Sequence, residues 1–389
     1  MNIVIRRYMA VVVVVALGPM AGVGAERPKP GPGVLPRELA SRTEQAVRRG
    51  LVFLKGTQNA EGGWTARYGP AVTAIVTRAF AQDEAYGPEH PVVKRAVAAI
   101  LKYRQSDGGI YDRTRNIGNY QTSVVLMLLA GLDDPALRAP IAGAQRYLAT
   151  LQYDAGESID AGHAWYGGAG YGKNKRPDLS NTQMMLEALH ESGLPASDPV
   201  YRRALKFVSR CQMLGSTNDL PFARGATDGG FIYSPNAGGE SKADRDTAEG
   251  VARHRTYGSM TYAGFKSLLY AHVDRDDARI KAALGWIRRH YTLDVNPNLP
   301  GRRSREGLYY YYHVFARALR AWGEPVITDA AGQPHNWRID LCRKLMALQK
   351  PDGSWINDRE RWLESDPDYV TGLTVLTLQA AMRSGARTR

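Results

Sequence analysis

The chain alternates between two kinds of segment, one amphipathic and one apolar on most faces. The amphipathic segments carry apolar residues at helical spacing, as in Val47, Leu51 and Leu54, and are predicted to be helices with one buried face. Successive anchors at their ends are spaced by 47, 47, 60, 79 and 58 residues, a period that indicates stacked helical repeats with loop insertions. The anchor is Gln in five of six copies: Gln58, Gln105, Gln152, Gln212, Tyr291 and Gln349.

A turn and then an apolar segment follow each amphipathic helix. Most turns contain glycine and an aromatic residue, as at residues 62–64 (Gly-Gly-Trp), which favours a tight bend whose aromatic ring packs back on the helix. Helices that are apolar nearly all round belong in the interior. Six polar outer helices that alternate with six apolar inner ones predict an all-α fold, an α/α toroid with about six helix pairs in a double ring around a central cavity. The apolar segments cover residues 71–80, 120–129, 181–189, 259–270, 308–319 and 370–382.

The amino terminus has the pattern of an export signal. Arg6 and Arg7 precede an apolar stretch that ends at Leu17, and a Val23-x-Ala25 end suits signal peptidase. The apolar stretch is shorter than the about 20 residues that a spanning helix needs. We therefore expect a signal peptide at 1–25, a Pro/Gly-rich linker at 26–40, a single toroid domain at 41–389 and a periplasmic or secreted protein. The choice between general and twin-arginine export stays open.

The composition indicates a packed core and limits the classes of partner that we expect. With 44% hydrophobic and 9% aromatic residues, the 389-residue chain is not disordered, and two Cys cannot form a disulfide framework. The formal net charge is +13, but no run of five or six basic residues accompanies it. This is typical of a solvated basic surface, so we expect no nucleic-acid partner.

The Gln and aromatic pattern resembles the QW repeats of the squalene-hopene cyclase, oxidosqualene cyclase and protein prenyltransferase β-subunit superfamily. Residues 58–64 (Gln-Asn-Ala-Glu-Gly-Gly-Trp) and 349–355 (Gln-Lys-Pro-Asp-Gly-Ser-Trp) carry the resemblance, which extends over about residues 40–385. It implies the toroid and a terpenoid cyclase or prenyltransferase activity on a ligand in the cavity. Complement-like toroids share the superfamily, but their Gly-Cys-Gly-Glu-Gln thioester run does not occur in this sequence.

The acid motif that the resemblance implies is incomplete. Cyclases similar to squalene-hopene cyclase protonate an alkene with the middle Asp of Asp-x-Asp-Asp-Thr-Ala at the start of an inner helix. Residues 274–277 (Asp-Arg-Asp-Asp) match literally but precede an outer helix, and we interpret Asp276 or Asp277 as its N-cap. The matching inner-helix starts at 118–123 and 178–183 do not supply the acid. Asp366 and Asp368 precede the sixth inner helix, either as a helix-entry cap or as the acid pair.

The zinc ligands of protein prenyltransferases are also incomplete. Aligned with their Asp-Gly-Cys-Tyr stretch, this sequence has Tyr257 and Ser259 at the two ligand positions, and His313 alone resembles the third. Cys211 and Cys342 are interpreted as small core residues. We predict no metal and no cofactor.

Polar and aromatic residues collect at the starts of the inner helices, which a toroid directs toward one mouth of its cavity. The loop at 223–255 is the longest insertion and is predicted to be a lid or binding loop. We predict catalytic roles for Tyr257, His313, Asp366 and Asp368. The predicted ligand-binding residues are Trp165, Tyr171, Asn181, His254, Arg255, Tyr262, Tyr309, Tyr310 and Tyr312.

Three hypotheses follow for the function. The first is an isoprenoid enzyme or its descendant, whose aromatic cavity accommodates an apolar chain or a carbocation. The second is a polysaccharide lyase, with Tyr257 or His313 as base and Asn181 or Arg255 on a uronate, or an inverting glycosidase that uses two of Asp228, Asp366 and Asp368. The third is a noncatalytic toroid that binds its ligand.

Overall fold

The structure is a computed structural model that describes residues 35–246 and 253–383. The predicted signal peptide at 1–25 and most of the predicted linker at 26–40 lie outside the described residues. The first helix begins at Arg37, inside the segment that the sequence assigns to the linker. Its first turn already buries Leu39 against the core, so the domain begins before residue 41.

Twelve α-helices form the framework of the described residues. The six predicted apolar segments fall on the even-numbered helices, and the six anchors follow the odd-numbered ones, which confirms the predicted helix pairs. Two short antiparallel hairpins join the framework, β1 (Arg245–Asp246) with β2 (Arg253–His254) and β3 (Val326–Thr328) with β4 (Pro334–Asn336). The helices are α1 (Arg37–Thr57), α2 (Pro70–Ala81), α3 (Pro91–Leu101), α4 (Gly118–Ala130), α5 (Arg138–Ala149), α6 (Leu179–Glu191), α7 (Pro199–Cys211), α8 (Gly258–Tyr270), α9 (Ala278–Arg289), α10 (Leu308–Trp322), α11 (Trp337–Ala347) and α12 (Pro367–Met382).

The even-numbered helices form a closed inner ring. Each contacts the next even-numbered helix along the chain, and α12 contacts α2, which closes the circle. The odd-numbered helices pack outside, where α1, α5, α7 and α11 each contact two inner helices. In α12 every position from Tyr369 to Ala381 is buried, whereas α7 buries a face that includes Val200, Ala204 and Val208. The fold is therefore the predicted α/α toroid.

The anchor glutamine ties a repeat to the following one in four of its five copies, whereas Gln105 Nε2 donates to the carbonyls of Tyr103 and Tyr111 within its own repeat. Gln58 Nε2 donates to the carbonyl of Gly62 in its own turn, at 2.9 Å, and to that of Val92 in the next outer helix, at 3.0 Å. Gln349 makes the same pair of bonds, and its second acceptor is Ala46 of α1, which joins the last repeat to the first. The side-chain amide thus serves as a clamp between neighbouring repeats.

The tryptophan of the repeat motif fixes the turn to the helix before it. Trp64 Nε1 donates to the carbonyl of Leu54, and Trp355 Nε1 donates to that of Leu345, both at 2.8 Å. The fifth repeat has Tyr291 in place of the glutamine and makes its contacts differently. There, the hydroxyls of two tyrosines of α10 donate to backbone carbonyls of the preceding loop at 2.7 Å.

Candidate functional site

The inner helices run parallel, because an outer helix returns the chain between each pair. Their N-terminal ends therefore meet at one end of the ring, which we call the mouth, and their C-terminal ends meet at the other, which we call the base. Backbone N–H groups at helix starts favour negative side chains, and C-terminal carbonyls favour positive ones. Side chains follow this polarity, with Asp178 capping α6 at the mouth and Arg320 in the last turn of α10 at the base.

Asp178 is a buried carboxyl at the mouth. Its Oδ1 accepts from the backbone N–H of Asn181 at 2.9 Å, and its Oδ2 accepts from Asn181 Nδ2 at 2.8 Å. The residue is 2% exposed, and burial raises the pKa of its carboxyl to about 6 although Asn181 and Tyr233 favour the charged form. This carboxyl can therefore exchange a proton close to neutral pH.

Four tyrosines from different parts of the chain lie near this carboxyl, and two more, Tyr120 and Tyr369, lie near members of that group. Burial raises the pKa of all six hydroxyls, and the charge of Asp178 adds to the rise in four of them. The hydroxyls therefore stay protonated at neutral pH and are available as hydrogen-bond donors. We call the group the mouth cluster: Tyr120, Tyr171, Asp178, Tyr233, Tyr257, Tyr310 and Tyr369.

Tyr310 reaches across the ring axis from α10 to α6. Its hydroxyl lies 3.2 Å from Ser180 Oγ and 3.2 Å from Gln183 Nε2, although α8 separates these helices in the ring. Gln183 Oε1 is buried and, among the described residues, has no hydrogen-bond partner. The axis therefore holds an unused acceptor directly beside the tyrosine hydroxyl.

His313 lies one helical turn farther from the mouth than Tyr310. Its Nδ1 is 3.2 Å from Thr377 Oγ1 of α12. Burial lowers the pKa of His313 to about 3, and the opposing charge of Glu187 does not compensate. The imidazole is therefore neutral at physiological pH and is a weak proton acceptor.

Charged side chains cross the ring toward its base. Lys266 Nζ lies 2.5 Å from one carboxylate oxygen of Glu187, and Arg317 Nε lies 2.7 Å from the other. Arg78 Nη2 lies 2.6 Å from Glu191, which also pairs with Arg317. Burial alone would raise the pKa of Glu187, but Lys266 and Arg317 outweigh it and lower the value. We call these five residues the base cluster.

Asp366 and Asp368 lie at the seam between α1 and α12. Asp366 is the N-cap of α12 and accepts from the backbone N–H of Tyr369 at 3.0 Å, so the cap interpretation is confirmed. Asp368 accepts from Thr57 Oγ1 at 2.6 Å. Burial raises the pKa of Asp368, with the nearby charge of Asp366 contributing. Their catalytic role stays a prediction.

The predicted cap of α9 is Asp277, which accepts from the backbone N–H of Arg279.

Three predicted ligand-binding residues have partners in the long insertion. Trp165 Nε1 donates to Asn236 Oδ1 at 2.8 Å. His254 Nε2 lies 2.8 Å from the carbonyl of Gly238, and the backbone N–H of Arg255 donates to the carbonyl of Asp244 at 3.1 Å. These contacts hold the β1–β2 hairpin at the edge of the mouth.

Three predicted ligand-binding tyrosines, Tyr262, Tyr309 and Tyr312, are buried against other side chains of the protein, and their role in binding stays a prediction. Tyr262 is fully buried, with its ring centroid 4.9 Å from that of Phe315. Tyr309 packs edge to face on Tyr312 at 5.7 Å. Successive residues of a helix point about 100° apart, so of the four consecutive tyrosines in α10 it is Tyr310 that reaches the axis.

Sequence reasoning missed two buried carboxyls. The acid of the Asp-x-Asp-Asp motif is its middle Asp, where this chain has Ser180, so the motif does not point to Asp178. Glu364 accepts from the backbone N–H of Tyr310 at 2.8 Å and from Asn357, and burial raises its pKa to about 7. One sequence signal could have identified side chains on the axis. It is a polar residue that recurs at every helical turn of an apolar segment, such as Gln183 and Glu187 in α6.

The part of the chain that the structure describes contains neither a disulfide nor a cluster of metal-binding side chains. Cys211 and Cys342 are buried and unpaired, which confirms their interpretation as core residues. No three His, Cys, Asp or Glu residues within 35–246 and 253–383 are grouped so as to hold a metal ion. In the same ranges no helix is long and apolar enough to cross a membrane.

Two surface cavities lie away from the axis. One of about 280 Å³ lies between the first turn and α3, with Trp64 and Tyr103 in its wall. The other, of about 480 Å³, lies between α1 and α11 and is flanked by Arg42 and Arg343. Neither is lined by a member of the mouth cluster.

Comparison with known proteins supports the fold. No protein-family model and no curated protein sequence matches the chain. A variant of the type II terpene cyclase MstE from Scytonema, in complex with its substrate geranylgeranyl dihydroxybenzoate, aligns with a TM-score of 0.53 and 14% identity over 90% of this chain and 100% of that one. The GH76A α-1,6-mannanase from Salegentibacter sp. HEL1_6 aligns with a TM-score of 0.54 and 9% identity over 88% and 98%.

An inactive variant of that mannanase in complex with α-1,6-mannotriose aligns with a TM-score of 0.53 and 9% identity over 88% of this chain and 98% of that one. Both kinds of protein are similar to this chain in architecture. At such low identity the likeness shows the α/α toroid alone.

Proposed function

We propose that the protein binds a polyhydroxylated ligand, such as the end of a glycan chain, at the mouth of its ring. The observation that carries the proposal is the set of hydrogen-bonding groups on the axis: the hydroxyls of Tyr310 and Ser180 and the unpartnered Oε1 of Gln183. A buried acceptor without a donor costs free energy, which a ligand hydroxyl would recover. Aromatic walls with a few placed polar groups are typical of binding pockets.

A bare hydrocarbon fits the same axis less well. It would leave Gln183 Oε1 without a donor and the carboxyl of Asp178 against apolar surface. The base cluster has three cations and two carboxylates, so its excess positive charge would also repel a carbocation on the axis. Both effects favour a polar ligand that is neutral or anionic.

Asp178 is the group that this site offers for acid–base chemistry on such a ligand. Its pKa of about 6 permits proton donation near neutral pH. Tyr257 is less suited to the role of base, because burial raises the pKa of its hydroxyl well above the usual value. His313, with a pKa of about 3, is a poor proton acceptor. We therefore assign any proton transfer at the mouth to Asp178.

An isoprenoid with a polar head group is the second candidate. The terpene cyclase MstE binds geranylgeranyl dihydroxybenzoate in a toroid of similar architecture. The faces of the mouth-cluster tyrosines would contact an apolar chain or a cation. The two candidates differ in whether the bound part of the ligand carries hydroxyl groups.

We further propose that the protein acts outside the cytoplasm. The support is the signal-peptide pattern at 1–25, which ends at Ala25. Recovery of a chain that begins at Glu26 from the periplasm or the medium supports export, and recovery of the intact chain from the cytoplasm alone contradicts it.

The binding proposal is tested by titration calorimetry with α-1,6-mannotriose, trigalacturonate and farnesol. We expect one of the oligosaccharides to bind the wild type, and Tyr310→Phe to weaken that binding about 5- to 10-fold, because one lost hydrogen bond costs about 1 kcal/mol. Tyr309→Phe is the matched control, since Tyr309 packs on Tyr312 and should leave the affinity unchanged. Binding of farnesol without either oligosaccharide, or equal affinities of the two variants, would overturn the proposal.

A further inference from the structure

Two exposed aromatic side chains lie at the mouth of the ring. Five large hydrophobic side chains of residues 35–246 and 253–383 are exposed, and the aromatic ones among them are Tyr171, at 39%, and Trp362, at 38%. Trp362 precedes α12 and lies next to Gly307, the N-cap of α10. The carbonyl of Tyr171 accepts from the backbone N–H of Asn119, in the first turn of α4, at 2.9 Å. Each aromatic residue therefore lies beside the N-terminal end of an inner helix.

The two aromatic residues lie on opposite sides of the ring axis. The inner helices contact one another in the order α2, α4, α6, α8, α10, α12 and back to α2, so α4 and α10 are three positions apart in both directions. Packed helices have axes about 8–10 Å apart, which places opposite members of a regular ring of six about 16–20 Å apart. The hydroxyls of Tyr310 and Ser180 lie on the axis between them. The mouth therefore has polar groups at its centre and an aromatic ring on each of two sides.

The backbone at Trp362 has a conformation that side chains rarely adopt. Trp362 and Leu363 have φ values of 55° and 70°, and no other two consecutive non-glycine residues of the described chain share this left-handed conformation. Such a conformation costs free energy and persists only where the surrounding structure imposes it, and it is common at ligand sites.

Buried side chains fix both ends of the loop that carries Trp362. Asn357 Nδ2 donates to the carbonyl of Arg305 at 2.8 Å, and the carboxylate of Glu364 accepts from the backbone N–H of Tyr310 at 2.8 Å. The backbone N–H of Asn357 donates to the carbonyl of Glu364 at 2.9 Å, which closes the loop. The indole is thus positioned before a ligand arrives, and this lowers the entropic cost of binding.

The indole keeps exposed surface although two neighbours contact it. A Cβ added at Gly307 would lie 2.8 Å from Cε3 and 3.0 Å from Cζ3 but 3.9 Å from Cδ2 of Trp362, so this backbone meets the ring at an edge. The guanidinium of Arg361 lies over the ring, 4.6 Å from its centroid, and is paired with Glu306 at 3.0 Å. The C–H groups of a sugar ring carry partial positive charge and pack favourably on the negative face of an aromatic ring. The exposed indole can therefore hold a sugar ring, with the N–H groups of Arg361 beside it as donors.

We propose that Trp362 and Tyr171 are stacking subsites for two sugar units of a glycan chain that crosses the mouth. The proposal rests on the polyhydroxylated ligand proposed above and specifies it as an oligosaccharide that reaches from one side of the mouth to the other. The units between the two subsites lie over the axis, where the hydroxyl of Tyr310 and Oε1 of Gln183 are available for hydrogen bonds. A single sugar on the axis would leave both exposed aromatic rings without a partner.

The test compares the wild type with Trp362→Gly and Val326→Ala. Glycine adopts positive φ without strain, so Trp362→Gly removes the indole and relieves the backbone at once. Val326 is also 38% exposed but lies in β3, which follows the C-terminal end of α10 at the base, and it serves as control. Titration calorimetry uses α-1,6-mannotriose and α-1,6-mannohexaose, and trigalacturonate and hexagalacturonate, because a trisaccharide is too short to reach both sides of the mouth.

The ratio of the two affinities within a series distinguishes binding from a structural role. We expect the wild type and Val326→Ala to bind the hexasaccharide of one series about tenfold more tightly than its trisaccharide, and Trp362→Gly to lose about fivefold or more of this preference. Tyr171→Ala should reduce the same preference. Trp362→Gly should melt at or above the temperature of the wild type, because the strain at this position is relieved.

A hexasaccharide that binds no more tightly than the trisaccharide, or a preference that Trp362→Gly leaves unchanged, would overturn the two subsites and leave the ligand proposed for the axis intact. Equal weakening of both ligands together with a lower melting temperature would assign Trp362 to the fold and would also overturn them. If neither series binds the wild type, this proposal and the function on which it rests fail together.

Discussion

Among single residues, Asp178 shows how position determines chemistry. An Asp side chain in water ionises near pH 3.9, whereas burial raises the pKa of this one to about 6. The folded protein therefore favours the protonated form. Stability that depends on this proton is fully present below the unfolded value, near pH 4, and is lost as pH rises through about 6.

We predict that Asp178→Asn removes this dependence on pH. Asn is an N-cap as good as Asp and carries no charge, so the variant should keep α6 capped. Relative to the wild type, its free energy of unfolding should increase by on the order of 2 kcal/mol as pH rises from 4 to 7. Urea denaturation at several pH values measures this difference, and two parallel stability profiles would contradict the raised pKa.

The acidity of Asp178 could not be predicted from the sequence, and its physical cause explains why. Residues 178–183 identify a helix start, but the burial of the carboxyl depends on Tyr233 and Tyr257, which belong to a later repeat. The same holds for Tyr310, since four adjacent tyrosines look alike in sequence and only the direction of α10 distinguishes them. The residue types at the mouth can be predicted from the sequence, whereas their environment depends on the folded ring.

Among the elements, the repeats differ in the contacts that their anchor glutamine makes with the next outer helix. In three repeats an arginine of the next outer helix donates to the anchor Oε1: Arg95 to Gln58, Arg203 to Gln152 and Arg49 to Gln349. The backbone carbonyls of these arginines lie against the turn glycines, and the residue at the same place in α9 is Ala282, against Gly229. Gln212 Oε1 is accordingly buried without a partner among the described residues.

We predict that Ala282→Arg stabilises the fourth repeat. The new guanidinium should donate to Gln212 Oε1 and raise the free energy of unfolding by about 0.5–1.5 kcal/mol. Arg203→Ala is the mirror variant, since it leaves Gln152 Oε1 without its donor at 2.7 Å and should lose a similar amount. Chemical denaturation measures both, and a loss of stability in Ala282→Arg would show that the four repeats are not equivalent.

At the scale of the whole molecule, the closed ring makes a single unit of the six repeats. The contact of α12 with α2 and the bond from Gln349 to Ala46 join the last repeat to the first. The period of the anchors and the alternation of polar and apolar helices predicted this architecture. The ligand could not be predicted in the same way, because toroids of similar architecture bind an isoprenoid in one case and a mannotriose in another.

The presence of a hydroxylated ligand at the mouth is best measured on the protein as its own host makes it. Native mass spectrometry of that protein measures the mass of any bound molecule, and extraction then identifies it. We predict an oligosaccharide or another polyhydroxylated compound whose release is faster from Tyr310→Phe. A bound polyprenyl chain without hydroxyl groups would contradict the proposed polyhydroxylated ligand and favour the isoprenoid candidate.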